Sequence, residues 1–111
     1  MDSPKKPKRE KQVFTLLAEL GRRAGDGLPA GATGAALICY ACGVDETEAV
    51  RATVATLQRS DMVPLNVSGY GTLKERRAEG HDISDAEAAL MTRAGDENAV
   101  IVAQVTPLFE N

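Results

Sequence analysis

Apolar residues between positions 11 and 24 recur with a helical period, with Val13, Leu16, Leu17, Leu20 and Ala24 at i, i+3, i+4, i+7 and i+11. The pattern predicts a first helix, with Arg22 and Arg23 near its C-terminal end and Gly25 and Gly27 stopping it. A loop over 25–34 follows, in which Leu28 supplies at most a short strand. Thr33 is suited to cap a second helix whose inward stripe is Ala35, Ile38, Cys39 and Cys42, and Gly43 closes it. Leu37 and Tyr40 fall outside that stripe, where they suit either a dimer surface or more core. A third helix is capped by Asp45, with Glu48 at capping-box spacing and Val50, Val54 and Leu57 inward.

After Asp61 the period changes to two, placing Val63, Leu65 and Val67 on one face of a strand. Pro64 assigns that strand to an edge or a bulge, and 68–71 reads as a turn. Thr72 with Glu75, and Ser84 with Glu87, mark the starts of two further helices, the second running to Ala94 before Gly95. The β-branched run 99–105 predicts a well-buried strand pairing antiparallel with 63–67, the helices between them lying outside the ladder.

Composition supports a helical core and narrows the class. A chain of 111 residues and 11.7 kDa is one domain's worth. Aromatics are only 4% and Trp is absent, so Ala-rich helices at close approach are favoured over an aromatic sandwich. The longest apolar stretch, 35–42, is far below the roughly 20 residues of a membrane span. The charged start has no apolar segment behind it, unlike a secretory signal. Two cysteines make no disulfide scaffold, so the expected location is the reducing cytoplasm.

Charge is uneven. Residues 1–60 carry nine Lys/Arg against seven Asp/Glu, whereas residues 61–111 carry four against nine. Lys5, Lys6, Lys8, Arg9 and Lys11 crowd the first eleven positions, where Pro4 and Pro7 argue against regular structure. Such an arm suits an anionic polymer, and suits equally a merely solvated terminus.

Residues 35–63 resemble the helix-turn-helix core of the winged-helix superfamily. Gly43-Val44 matches its turn, Asp45 its cap, Val50, Val54 and Leu57 its stripe, and Asp61-Met62-Val63 its exit to the wing. The likeness covers about residues 11–70, with one extra residue before Val50 and Asp61 in place of the usual Gly. It implies an α+β fold: a mostly helical winged helix-turn-helix with a small antiparallel sheet and a long helical insertion in the wing. The arm would be 1–10, and the single domain 11–111.

The same resemblance implies double-stranded DNA as partner, read by a homodimer on two half-sites. Its third helix would present Thr47, Arg51 and Arg59, with Arg51 placed for guanine. Phosphate contacts would come from Lys5, Lys6, Lys8, Arg9 and Lys11, and from Lys74, Arg76 and Arg77. Asp45, Glu46 and Glu48 oppose phosphate at that helix start, although they also cap it. The alternative is therefore a winged-helix module for protein–protein contact. Cys39-Tyr40-Ala41-Cys42 spells CxxC, but with one His in the chain core packing is favoured over zinc or redox chemistry. His81 beside Asp82 lacks a nucleophile, and Gly69-Tyr70-Gly71 is too short to cradle phosphate. The expectation is a regulator or plasmid- or phage-type accessory factor acting by site occupancy, without catalysis or cofactor.

Overall fold

The computed structural model describes residues 10–110, so Lys5, Lys6, Lys8 and Arg9 lie outside the described residues. Its elements are β1 (Gln12–Leu20), β2 (Ala32–Gly43), α1 (Glu46–Arg59), β3 (Pro64–Thr72), α2 (Leu73–Ala78), α3 (Asp85–Glu97) and β4 (Ile101–Phe109). The four strands form one antiparallel sheet in the order β3-β1-β2-β4. This overturns the mostly helical winged-helix expectation, because the first two expected helices are the two central strands.

Both strands are buried on both faces, and that is why they look helical. Phe14, Leu16, Ala18 and Leu20 of β1, with Ala35, Leu37, Cys39 and Ala41 of β2, pack with Ala49 and Leu57 of α1 on one face. Val13, Ile38 and Tyr40 pack with Leu73, Leu90, Met91 and Ala94 on the other. A strand covered on both sides is apolar at nearly every position. Within such a run the set i, i+3, i+4, i+7 is satisfied by arithmetic alone.

The hairpin pairs from Gln12↔Gly43 to Leu20↔Ala35. Its loop is organised by Asp26, which accepts the Arg23 and Leu28 backbone N–H groups and the Arg22 guanidinium. These bonds, the Arg23 N–H foremost, hold the Asp26 carboxyl down at about 2. Gly34 is required where the hairpin is tightest, because a Cβ there would overlap the Leu20 carbonyl oxygen. Gly34→Ala is expected to lower stability by about 1–3 kcal/mol through forced separation of the strands, read by chemical denaturation.

From β2 the chain crosses over β1 through α1 to β3, then returns across the other face through α2 and α3 to β4. Segments 63–67 and 99–105, expected to be neighbours, therefore belong to opposite edges with β1 and β2 between them. The run at 99–105 is also less buried than expected, with Val102 and Val105 exposed on the edge strand β4.

Leu65, expected inward, is 66% exposed. The β1–β3 register explains it: Asn66 pairs with Glu19 and Pro64 with Leu20, leaving Leu65 as the extra residue of a bulge. A second shift leaves Tyr70 between Gly69↔Leu16 and Gly71↔Thr15, so the expected turn at 68–71 is instead a bulged strand. Gly71, at φ +99°, accommodates it. Asp61, standing where the winged-helix pattern has Gly, does adopt the left-handed conformation, at φ 61°.

Candidate functional site

On the α2/α3 face a cleft of about 430 Å³ opens between the two helices and the sheet. Ile38, Ala86, Leu90 and Ala103 give it apolar lining, and Thr15, Tyr40, Arg76, His81 and Glu87 polar lining. Two bulges shape its rim. Tyr70 is the extra residue of β3, and Ala103 is the extra residue of β4, between Gln104↔Ile38 and Val102↔Cys39. Each re-aims a side chain at a place where regular pairing would not.

The helix starts position the polar groups. In α2 the box is complete: Thr72 Oγ1 accepts from Glu75 N at 3.2 Å, and Thr72 N donates to Glu75 Oε1 at 2.8 Å. Arg76, the next residue, is thereby fixed in the first turn and reaches back to β1. In α3 Ser84 Oγ accepts from Glu87 N at 3.1 Å, while the Glu87 carboxylate leaves the helix start and enters the cleft. Two glutamates at the same helical position thus serve different purposes.

Tyr40 Oη donates to Glu87 Oε2 at 3.0 Å. Arg76 Nη1 donates to Thr15 Oγ1 at 3.0 Å and to Glu87 Oε2 at 3.4 Å. Its Nε donates to His81 Nδ1 at 3.3 Å, which assigns the imidazole proton to Nε2. The Arg76 side chain is only 14% exposed, an unusual setting for a guanidinium.

Burial pushes the Tyr40 phenol up to about 12, and the Glu87 carboxylate that receives its proton adds to the rise. The folded state thus holds this proton more tightly than the unfolded chain does. The resulting stabilisation is complete below pH 10 and is lost as pH rises from 10 through 12. In a Tyr70→Phe variant, where Tyr40 is the remaining tyrosine, ultraviolet titration of the folded protein is expected to give a midpoint near 12. A midpoint at 10 would show a solvated phenol.

The model of a domain of unknown function, DUF8846, matches residues 13–109, from the second residue of β1 to the end of β4. The chain belongs to this family. No curated protein and no solved structure matches it.

The DUF8846 domain distributes the sequence-derived site residues over separate surfaces. Thr47, Arg51 and Arg59 are exposed on α1, whereas Lys74 and Arg77 are exposed on α2, across the sheet. Lys11 donates to Asn98 Oδ1 at 3.3 Å. Arg76 turns inward to the cleft. His81 meets Arg76, with Glu79 Oε1 3.8 Å from its Nε2, so its partners are not the neighbouring Asp82. The sequence pattern does not mark Tyr40, Glu87 and Thr15 as site residues. The odd Ser84–Glu87 box and a Tyr in an apolar run were the available signals.

Within β2, Cys39 faces α1 and Cys42 faces α3, where its Sγ donates to Ala94 O at 3.3 Å. Positions three apart in a strand are about 10 Å from one another, beyond the roughly 7 Å limit for a disulfide. Burial pushes the Cys39 thiol up to about 11 and raises that of Cys42. Both are expected to react slowly with a thiol reagent under native conditions. Cys39→Ser should lower stability by about 1–3 kcal/mol, since its hydroxyl enters an apolar layer. Cys42→Ser should change little, its hydroxyl being able to donate to Ala94 O. Rapid native labelling of Cys39 would contradict this placement.

No helix among the described residues is long and apolar enough to cross a membrane.

Proposed function

We propose that the domain is a non-catalytic binding domain whose ligand enters the cleft between α2, α3 and the sheet. The observation that carries this reading is the mostly buried Arg76 beside Glu87 in a cleft also lined by the apolar Ile38, Ala86, Leu90 and Ala103. Small-molecule sites have this composition: apolar walls with a few convergent polar groups fixing orientation. The groups present suit recognition, since their hydrogen bonds hold rather than activate one another.

Amide-correlation NMR of the full chain against a library of small polar and amphipathic compounds tests it. Binding compounds are expected to shift resonances of Thr15, Ile38, Tyr40 and Leu90, and Arg76→Met should abolish those shifts. A library that leaves these resonances unmoved, or shifts indifferent to Arg76→Met, would sink the reading.

Duplex DNA binding is the second reading, and the exposure of Thr47, Arg51 and Arg59 on one helix favours it. Against it, the described residues hold nine Lys/Arg and fifteen Asp/Glu, with Asp45, Glu46 and Glu48 at the start of the same helix. Fluorescence anisotropy across a salt series decides. DNA occupancy requires a log–log slope near −0.9 per phosphate neutralised, flattened by deleting 1–10. Homodimer formation and protein–protein contact have a surface available in Val102, Val105 and Phe109 of β4, and sedimentation measures self-association there directly.

A further inference from the structure

The cleft contains one cation and one anion held together loosely. Arg76 Nη1 and Glu87 Oε2 are 3.4 Å apart, longer than the 2.7–2.9 Å or so of a tight charge-assisted bond. Neither Arg76 Nη2 nor Glu87 Oε1 takes part in any contact described above. Each ion therefore retains hydrogen-bonding capacity on a side chain that lines the cleft. Tyr40 is committed as a donor to Glu87 Oε2. His81, whose Nδ1 accepts from Arg76 Nε, flanks the guanidinium.

Such a pair selects by charge type. A simple anion engaging Arg76 meets the Glu87 carboxylate at close range, and a simple cation engaging Glu87 meets the guanidinium. Like charges brought together in a partly desolvated site are strongly disfavoured. A molecule with carboxylate and ammonium on one carbon answers both ions at once and brings no net charge into the site. The apolar lining residues Ile38, Ala86, Leu90 and Ala103 then receive an apolar substituent. A volume of about 430 Å³ accommodates a molecule of that size.

We infer that the cleft takes a zwitterion with an apolar side chain, an α-amino acid or its close analogue, its carboxylate on Arg76 and its ammonium on Glu87. This rests on the cleft being the binding site, and the test separates the two claims.

Three probes share one side chain: leucine, 4-methylpentanoate, which lacks the ammonium, and 3-methylbutylamine, which lacks the carboxylate. Each is titrated into the full chain at millimolar concentration and followed by amide-correlation NMR. Leucine is expected to shift Thr15, Tyr40 and Leu90 and to bind at least about tenfold more tightly than either fragment, the equivalent of one lost charged contact. Arg76→Met and Glu87→Gln should each weaken leucine by a similar factor. Leu90→Trp, which takes up cleft space while leaving both charged residues in place, should block it as well and serves if either charge variant fails to fold. If a fragment binds as tightly as leucine, the zwitterion inference is overturned while the cleft remains the binding site. If none of the three moves a cleft resonance, the inference is overturned, and the wider library alone decides whether the cleft binds anything.

Discussion

Leu37→Ala is expected to destabilise the fold by about 2–5 kcal/mol, the range for removing a fully buried leucine side chain. Leu37 is 0% exposed on β2, packed between β1 and α1, and its loss leaves a cavity at the centre of the larger apolar layer. Urea denaturation with circular dichroism measures it. Leu37→Asp should prevent folding altogether, since the carboxylate would be buried without a partner. The outcome bears on the architecture: on a helix with Ala35, Ile38, Cys39 and Cys42 inward, position 37 lies outside the inward stripe, and as a surface position it would make both substitutions mild. Near-wild-type stability of Leu37→Ala would contradict the sheet described above.

Position 37 also shows what the sequence conceals. Amphipathic elements announced themselves, because one wet face forces a period. Asp45 caps α1 and Ser84 caps α3, each side chain accepting from the N–H three residues on as the spacing predicts, but Glu48 turns to Val44 N and Glu87 to Tyr40 rather than completing a capping box. The α2 capping box at Thr72 and Glu75 is equally plain. Inside α1, Leu57 is buried as expected, but the fully buried layer runs through Ala49 and Thr53 rather than Val50 and Val54. Small residues lie directly under the helix, and the valines flank them. This small turn of the helix is invisible to a pattern that counts only large apolar residues.

The central hairpin was illegible for a different reason. β1 and β2 are covered on both faces, so neither a period of two nor a period of 3.6 distinguishes them, and Ala pulls the reading toward helix. If those two segments are helices, β3 and β4 have only each other to pair with. The error in partner followed from the error in type. The cleft was hidden with them, because its floor residues Thr15 and Tyr40 alternate out of the same two strands. Arg76 was marked as a basic residue, but only the three-dimensional path of α2 turns it away from solvent and onto Thr15.

Tyr40 carries the largest single effect expected in the cleft. The side chain is 1% exposed, and its ring packs with Met91 and Ala94 while its hydroxyl reaches Glu87. Tyr40→Ala should therefore cost about 3–5 kcal/mol, as truncation of a buried aromatic does. Tyr40→Phe keeps the ring and removes the hydroxyl, so it isolates the bond to Glu87, with an expected loss of about 1.5–3 kcal/mol for a hydrogen bond to a charged group. Glu87→Gln removes the charge at the other end and also loosens Arg76. In a double-mutant cycle the two changes should be non-additive, because the second finds the shared bond already gone. Additive losses would mean that the hydroxyl and the carboxylate act separately and that the network tying α2 and α3 to the sheet is not a unit. Non-additivity accords with Tyr40 fixing the Glu87 carboxylate through Oε2, which leaves Oε1 as the oxygen turned to a ligand.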